Sequence, residues 1–403
     1  MVSRFDCQII KRVKPYYHMS KLKANNKILV GALILAIDLI LFISFAVIHF
    51  VAKNRTELLY SQQAARRWES GDKKCTQISI FYSEDAGLKF SDIKNIRNAI
   101  QKKLYADSLI TDSKSGDSLG EVRSWIDAYS GHTYDDVRKD SNKVHVNVYT
   151  VGGDFFQIHN MPLKSGSYLD MKSTDVNQIL VDEYVAWNLF GGDNIAGMKV
   201  WIGDDVYTVT GVVKCDDNQA AKEAYGEYNS VYVPMEAYSK AGKKLASGED
   251  ASSGLSGNDT LTDESEGTVV TCYEAVLPNP IKNYGLNTVA EAAEIHFLTD
   301  EEKELLKSSL DFGDREILEN TTRFSRGSLY NRLKSKKYEV MKTNSRVYPY
   351  WENEARFEES YQIRVLRFAI IALVIFIVSF IGIGVIIYMS LKDKLHDAIK
   401  RDF

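Results

Sequence analysis

Residues 179–192 read ILVDEYVAWNLFGG, a stretch in which the hydrophobic pattern changes from that of a strand to that of a helix. Residues 178–181 predict a short strand, and residues 183–190 predict a short helix. The pair Gly191 and Gly192 ends this helix, because glycine is unfavourable in a helix interior and common just beyond its end. The stretch therefore indicates a domain that mixes α and β structure.

The flanking sequence predicts more short elements of both kinds. The predicted strands are 77–82, 144–151, 198–202, 206–213, 269–277 and 293–297, and the predicted helices are 91–105, with Ser91 as N-cap, and 299–310. The strands are short, alternating and grouped, which favours a mixed or antiparallel sheet with helices on one face over a doubly wound parallel sheet. We therefore expect an α+β fold.

Two apolar runs near the ends of the chain indicate its class. The 403 residues are 45% hydrophobic and 26% charged, an ordinary globular mixture. Residues 28–52, however, contain one charge, and residues 368–389 contain none. Both runs exceed the roughly 18 apolar residues that predict a transmembrane helix. This composition excludes a freely soluble enzyme, an intrinsically disordered chain and a channel made mostly of lipid-facing helices.

The distribution of charge predicts the topology, because Lys and Arg near a span remain on the cytoplasmic side. Residues 1–27 carry seven basic groups and one acid, and residues 390–403 carry four basic groups and three acids. We expect both segments in the cytoplasm. Residues 53–367, with 39 basic and 49 acidic groups and thus a net charge of −10, are then extracytoplasmic. A cleaved signal peptide is the alternative for the first run, but the run exceeds the usual length of a signal-peptide core.

The segments next to the two spans are expected to be helical. Residues 1–27 are basic and partly amphipathic, which favours a position along the inner membrane surface. Residues 53–74 predict a stalk, and residues 345–367 predict a second stalk helix that begins at Pro349 and continues into the second span. Between the stalks, residues 240–267 are rich in Ser, Gly, Asp and Glu, which predicts a disordered loop.

The chain has four cysteines, of which Cys7 lies on the predicted cytoplasmic side. The three extracytoplasmic cysteines, Cys75, Cys215 and Cys272, are an odd number and cannot all be paired within one chain. Cys215 and Cys272 adjoin predicted strands and form the candidate disulfide if this compartment is oxidising. The alternative is that all three are small buried hydrophobic residues.

Motifs for catalysis are missing from the sequence. It contains no phosphate-binding loop of the form Gly-x4-Gly-Lys-Ser/Thr, no Gly-x-Ser-x-Gly nucleophile motif and no His or Cys pair at zinc-ligand spacing. His145 and His159 are expected to be solvated strand and loop residues. We expect a protein that is not an enzyme and that uses no cofactor and no metal.

Asp38 is the charged residue within the first apolar run, where an ionised carboxylate costs about 2.5 to 3.5 kcal/mol. One interpretation is a polar contact to another membrane helix of the same complex. The other is a protonated or locally hydrated carboxyl group without a role. Small residues that would allow close helix approach lie at Ala32, Ala36, Gly382 and Gly384.

The order of motifs around the opening stretch resembles a known family. Residues 179–192 are followed by 195–200 (IAGMKV), 207–213 (YTVTGVV) and 232–234 (YVP). This succession is similar to the periplasmic core domain of MacB-like and FtsX-like ABC transporter permeases. Met198 stands between the glycine and the lysine of the family's turn, which is a minor departure. The predicted topology, with a large external domain between two spans, agrees with the resemblance.

The resemblance implies a non-catalytic permease-like subunit that couples a separate ATPase to the extracytoplasmic domain by mechanotransmission. Family members have two further spans, so we expect a reduced form of the permease. A second permease chain or a homodimer would then complete the complex. The tail is expected to dock on the ATPase through Lys392, Lys394, Leu395 and Ile399. Two alternatives remain open: a two-span membrane-anchored sensor of an extracytoplasmic ligand, and an envelope scaffold protein.

Overall fold

A computed structural model describes most of the chain: residues 6–69, 71, 73–83, 86–110, 124–215, 218–225, 229–240, 270–295, 309–311, 314–335 and 348–402. The described chain divides into two compact units. One unit comprises residues 1–54 and 363–403 and holds the two apolar helices. The other comprises residues 55–362 and holds the sheet.

The described residues form ten α-helices and eleven strands. The helices are α1 Asp6–Glu57, α2 Ala64–Trp68, α3 Phe90–Ala106, α4 Phe155–His159, α5 Glu183–Phe190, α6 Gln219–Tyr225, α7 Met235–Lys240, α8 Tyr284–Ala292, α9 Arg326–Ser335 and α10 Tyr350–Asp402. The strands are β1 Cys75–Tyr82, β2 Ile126–Lys139, β3 Asn142–Gly153, β4 Leu163–Gly166, β5 Gln178–Asp182, β6 Lys199–Ile202, β7 Asp205–Val213, β8 Ser230–Pro234, β9 Cys272–Pro278, β10 Ser309–Asp311 and β11 Arg315–Glu319.

All eleven strands belong to one mixed sheet, which confirms the predicted α+β class. The strand order is β10-β11-β1-β9-β2-β3-β8-β5-β7-β4, and β6 pairs with β2 and β7. Most pairs are antiparallel, whereas β3 with β8 and β5 with β7 are parallel. Strand β5, which opens the strand–helix unit at residues 178–190, lies where the direction of pairing changes: it is parallel to β7 and antiparallel to β8.

The predicted strand–helix unit at residues 178–190 is confirmed. Asp182 is the N-cap of α5, and its side chain accepts a hydrogen bond from the Val185 amide. Gly191 ends the helix in the left-handed conformation, with φ of 73°. The apolar side of α5, which includes Val185 and Leu189, is buried against the sheet.

The prediction that helices cover one face of the sheet is wrong at strand β1, which is covered on both faces. All eight residues of β1 are buried, and its neighbours Ile80 and Phe81 pack into different hydrophobic clusters. Ile80 packs with residues of α3 and α8, and Phe81 packs in a cluster that contains residues of α4 and α10. A strand covered on both faces is buried throughout its length.

Three element boundaries differ from the predictions. Ser91 lies inside α3, whose N-cap is Lys89, and the Asp92 side chain accepts a hydrogen bond from the Lys89 amide. Residues 293–295 are a turn after α8, and the rest of the strand predicted at 293–297 lies outside the described residues. The first stalk is helical only to Glu57 and then continues as a 3-10 turn and α2.

Some predicted segments lie outside the described residues. These are residues 241–267 of the predicted loop and residues 299–308 of the predicted charged helix, whose last two positions belong to β10.

The two terminal helices have the length and composition of membrane spans. Residues Leu29–Glu57 and Tyr350–Lys392 reach mean hydropathies of 2.7 and 3.2 in their most apolar windows, neither of which is buried. The lead-in and the first apolar run form one continuous helix, α1, from Asp6. The predicted stalk helix that starts after Pro349 and runs without a break into the second apolar run is also present, as α10.

Candidate functional site: the junction at the base of helix α10

The first three turns of α10 are buried in the unit that contains the sheet, although they carry many charges. Trp351, Glu352 and Ala355 are 0 to 1% exposed, and Glu358 and Glu359 are 1% and 3% exposed. Carboxylates so deeply buried require cationic partners, because an unpaired buried charge is strongly unfavourable.

Arg323 is the central cation of this region and is fully buried. Its Nη1 and Nη2 atoms donate to the two oxygens of Glu352, at 2.7 and 3.0 Å, in a bidentate arrangement. Its Nε donates to Glu359 at 3.1 Å. Burial lowers the pKa of Arg323, but the carboxylates of Glu352 and Glu359 outweigh this effect and leave it above its ordinary value.

Arg356 links the same helix to the sheet. Its Nε donates to Glu352 at 2.5 Å, and its Nη2 donates to Glu316 of β11 at 2.8 Å. The Tyr348 hydroxyl donates to the same Glu316 oxygen at 2.6 Å, and the Arg356 guanidinium stacks 3.9 Å from the centre of the Tyr348 ring. Glu316 is therefore held by two donors from the segment that opens α10.

Arg332 of α9 completes the set, with its Nε 2.5 Å from Glu359. We call the six residues Glu316, Arg323, Arg332, Glu352, Arg356 and Glu359 the junction. Its three arginines and three glutamates balance in charge. The junction ties α10 to β11, to α9 and to the loop that precedes α9.

An aromatic cluster adjoins the junction at the start of α10. The Tyr350 hydroxyl lies 2.9 Å from that of Tyr232 in β8, and the Trp351 ring contacts Tyr149 of β3 at a centroid distance of 5.4 Å. The His159 ring of α4 packs against Trp351 at a centroid distance of 4.5 Å, with the two rings tilted by 52°. The helix base therefore packs on central strands of the sheet as well as on β11.

His159 contradicts the prediction of a solvated residue. It is 1% exposed, and its Nε2 lies 2.8 Å from Oε2 of Glu274 in β9. His159 is the last residue of α4, and its ring packs in the core against those of Phe155 and Trp351. His145 is an exposed strand residue, as predicted, with Nδ1 3.0 Å from Asp136.

The predicted disulfide between Cys215 and Cys272 is not formed, and Cys75, Cys215 and Cys272 are all free and buried. Cys272 lies in β9, and Cys215 follows β7, and these two strands do not pair with each other. The interpretation of buried hydrophobic cysteines describes them better.

The predicted membrane contact residues lie on α1 and α10. Ala32, Ala36 and Gly384 are exposed, and a Cβ atom added at Gly382 or Gly384 would meet nothing within 4 Å. Asp38 differs from its neighbours, because it is 8% exposed and its Oδ1 lacks a hydrogen-bond partner. Its role in a helix contact stays a prediction.

The predicted docking tail is the last part of α10. Lys392, Leu395 and Ile399 are exposed, whereas the side chain of Lys394 lies outside the described residues. Exposed Leu391, Leu395 and Ile399 recur at intervals of four and lie on one side of the helix.

Sequence reasoning missed the junction, although its signal was present. Residues 350–359 read YWENEARFEE, in which glutamates and an arginine recur at helical spacing beside two large aromatic residues. That mixture of charge and aromatic rings could have indicated buried ion pairs. The partners Glu316 and Arg323 are distant in sequence, and nothing local identifies them.

Comparison with known proteins identifies the central part of the chain. The family model of the MacB-like periplasmic core domain matches residues 83–271. The match covers just under half of the chain, and it shows that this segment is similar to the MacB-like periplasmic core domain. The matched segment includes the strand–helix unit at residues 178–190. The predicted family resemblance is therefore confirmed.

Solved structures of similar domains were also found. The extracellular domain of the noncanonical ABC-type transporter YknZ from Gram-positive bacteria is 12% identical, with 54% of this chain and 90% of that chain covered and a TM-score of 0.34. The periplasmic region of MacB from Actinobacillus actinomycetemcomitans is 16% identical, with 61% and 89% covered and a TM-score of 0.34. A domain of a putative permease protein from Porphyromonas gingivalis is 12% identical, with 61% and 88% covered and a TM-score of 0.29. No curated protein matches the chain.

The junction lies outside the matched core-domain segment, since Glu316, Arg323 and Glu352 all follow residue 271. The geometry of the junction is therefore known from the structure of this chain and not from the family match.

Proposed function

We propose that this chain is the non-catalytic membrane subunit of an ABC-type complex and that α10 transmits movement from a separate ATPase to the extracytoplasmic core domain. The observation that carries the proposal is the continuity of α10, which is one helix from Tyr350 to Asp402. Its first turns belong to the buried junction, and its last turns expose an apolar stripe. In this proposal both termini are cytoplasmic.

The junction supports transmission because it resists rotation and sliding of the helix base. Glu352 accepts from two arginines, and Arg323 donates to two glutamates, so no single ion pair can shift without disturbing its neighbours. Breaking one buried pair costs about 3 to 5 kcal/mol. A displacement of the helix is therefore expected to move β11 and α9 with it.

The tail supports an ATPase partner through its exposed stripe of Leu391, Leu395 and Ile399, beside the basic Lys392. An amphipathic helical face of this kind suits a hydrophobic groove on a partner protein.

Affinity purification of the full chain in mild detergent at native expression tests the proposal. We expect an ABC-type ATPase to be recovered with the wild-type chain. Leu395→Glu and Ile399→Glu should abolish recovery, because each places a charge in the apolar stripe. His396→Glu is the matched control, since it adds the same charge to an exposed neighbouring position. Reproducible absence of any ATPase would overturn the proposal and favour a sensor or a scaffold.

A further inference from the structure

The last turn of α1 contains an arginine with an unusual set of contacts. Arg55 Nε donates to Oε2 of Glu358 in α10 at 2.8 Å, and its Nη1 donates to Oε1 of Gln219 in α6 at 3.2 Å. The Cζ atom of its guanidinium lies over the Tyr361 ring, 4.1 Å from the ring centre. One side chain therefore contacts two other helices through an ion pair, a hydrogen bond and a cation–π contact.

The carboxylate that receives Arg55 is itself fixed. The side chain of Glu358 is 1% exposed, and its second oxygen accepts a hydrogen bond from Gln362 at 2.8 Å. A glutamate so well buried depends on its cation, because removal of the partner leaves a buried charge. Arg55 is 20% exposed, so it reaches this position from the surface.

Helix α6 is attached to α10 by a second contact next to the first. Asn218 donates to Glu354 at 2.6 Å, and its Oδ1 accepts from the Ala221 amide as the cap of α6. Glu354, Glu358 and Tyr361 are spaced by four and three residues and therefore lie on one face of α10.

We propose that Arg55 is a positioning residue that clamps α1 and α10 together next to the two apolar runs. With this clamp in place, the two helices move together as one rigid body. This inference rests on the proposed function, because joint movement of α1 and α10 has a role only if an ATPase drives it. The planar guanidinium is essential to it, since an ammonium group cannot donate to both partners in a fixed fork while stacking on a ring.

Spin-label distance measurements on the full chain in lipid nanodiscs test the clamp. Labels are placed at Asn54 and Arg364, two exposed positions on α1 and α10, with Cys7→Ser in every variant. The remaining cysteines, Cys75, Cys215 and Cys272, are buried and expected not to be labelled.

We expect a narrow distance distribution for the wild type and a broad one for both Arg55→Ala and Arg55→Lys. The exchanged pair Arg55→Glu with Glu358→Arg should recover part of the narrow distribution, which shows that a folded protein still responds to the contact. Arg66→Ala, which removes an exposed arginine of α2, is the matched control and should leave the distribution unchanged.

An Arg55→Ala distribution as narrow as that of the wild type would overturn the clamp. A narrow Arg55→Lys distribution would overturn the requirement for the planar group. The measurement contains no ATPase, so its failure is distinguishable from failure of the proposed function, which is tested by recovery of the ATPase.

Discussion

Gly211 shows at the scale of one residue why the glycine of the motif YTVTGVV is needed in this chain. A Cβ atom at this position would lie 2.6 Å from the Ser167 carbonyl oxygen, 2.7 Å from the Ser165 carbonyl oxygen and 2.8 Å from the Ser167 amide nitrogen. These are backbone atoms of β4 and of the residues that follow it, and they cannot move aside as a flexible side chain can. The register of the β4–β7 pair also shifts between Leu163 and Ser165.

We therefore expect Gly211→Ala to lower the free energy of unfolding by roughly 1 to 3 kcal/mol, the usual cost of overpacking. Thermal unfolding of the full chain in detergent measures it. Gly192→Ala is the control, because a Cβ atom there would meet nothing within 4 Å. Equal melting temperatures for the two variants would contradict the explanation.

Asp182 should make the stability of the folded protein depend on pH. Burial raises the pKa of its carboxyl group from 3.8 to about 7, against the hydrogen bonds that it accepts from the Val185 and Ser230 amides. A raised pKa means that the folded protein keeps a proton that the unfolded chain loses. The contribution of this group to stability is therefore complete below pH 3.8 and is lost as the pH rises towards 7.

The stability of the wild type should accordingly fall between about pH 4 and pH 7 relative to Asp182→Asn, by at most about 1.4 kcal/mol per pH unit. Asparagine can still cap α5 but has no proton to lose. Denaturant unfolding of both proteins across this range measures the difference. Parallel stability curves would show that Asp182 titrates as an ordinary carboxyl group.

At the scale of elements, the stability of the first turns of α10 depends on Glu352, the carboxylate at the centre of the junction. Glu352→Gln removes the charge that two buried arginines share, Arg323 and Arg356. We expect a loss of about 3 to 5 kcal/mol in the free energy of unfolding. Unfolding followed by the fluorescence of the buried Trp351 reports it, with the exposed Glu291→Gln as control. A Glu352→Gln variant as stable as the control would contradict a structural role for the junction.

The elements also show what the sequence can and cannot predict. Helix α5 was predicted with its correct bounds because its cap, its apolar face and its glycine stop all lie within ten residues. Strands β4 and β11 were missed, since each is short and depends on partners far away in the chain. The junction was missed for the same reason: Arg323 and Glu352 are 29 residues apart, and their contact arises only from the tertiary fold.

At the scale of the whole molecule, the described residues place their strongest electrostatic contacts where elements are joined. The junction joins α10 to the sheet, and Arg55 joins α1, α6 and α10. Among the described residues, no group of three or more His, Cys, Asp or Glu side chains could hold a metal ion. Residues 83–271 are similar to the MacB-like periplasmic core domain, and the two apolar helices precede and follow this segment in the sequence.

In the proposed function, helix α10 connects the ATPase to the extracytoplasmic domain. Leu366→Pro should break this path, because proline inside a helix removes a hydrogen bond and costs about 3 kcal/mol. Leu366→Ala keeps the helix and serves as its matched control.

The most direct test is hydrogen–deuterium exchange of the purified complex with its ATPase, with and without a non-hydrolysable ATP analogue. The proposed function predicts a nucleotide-dependent change in exchange in β1, β9 and β11 that is retained in Leu366→Ala and abolished in Leu366→Pro. Exchange in these strands that is the same with and without nucleotide, in both the wild type and Leu366→Ala, would contradict it.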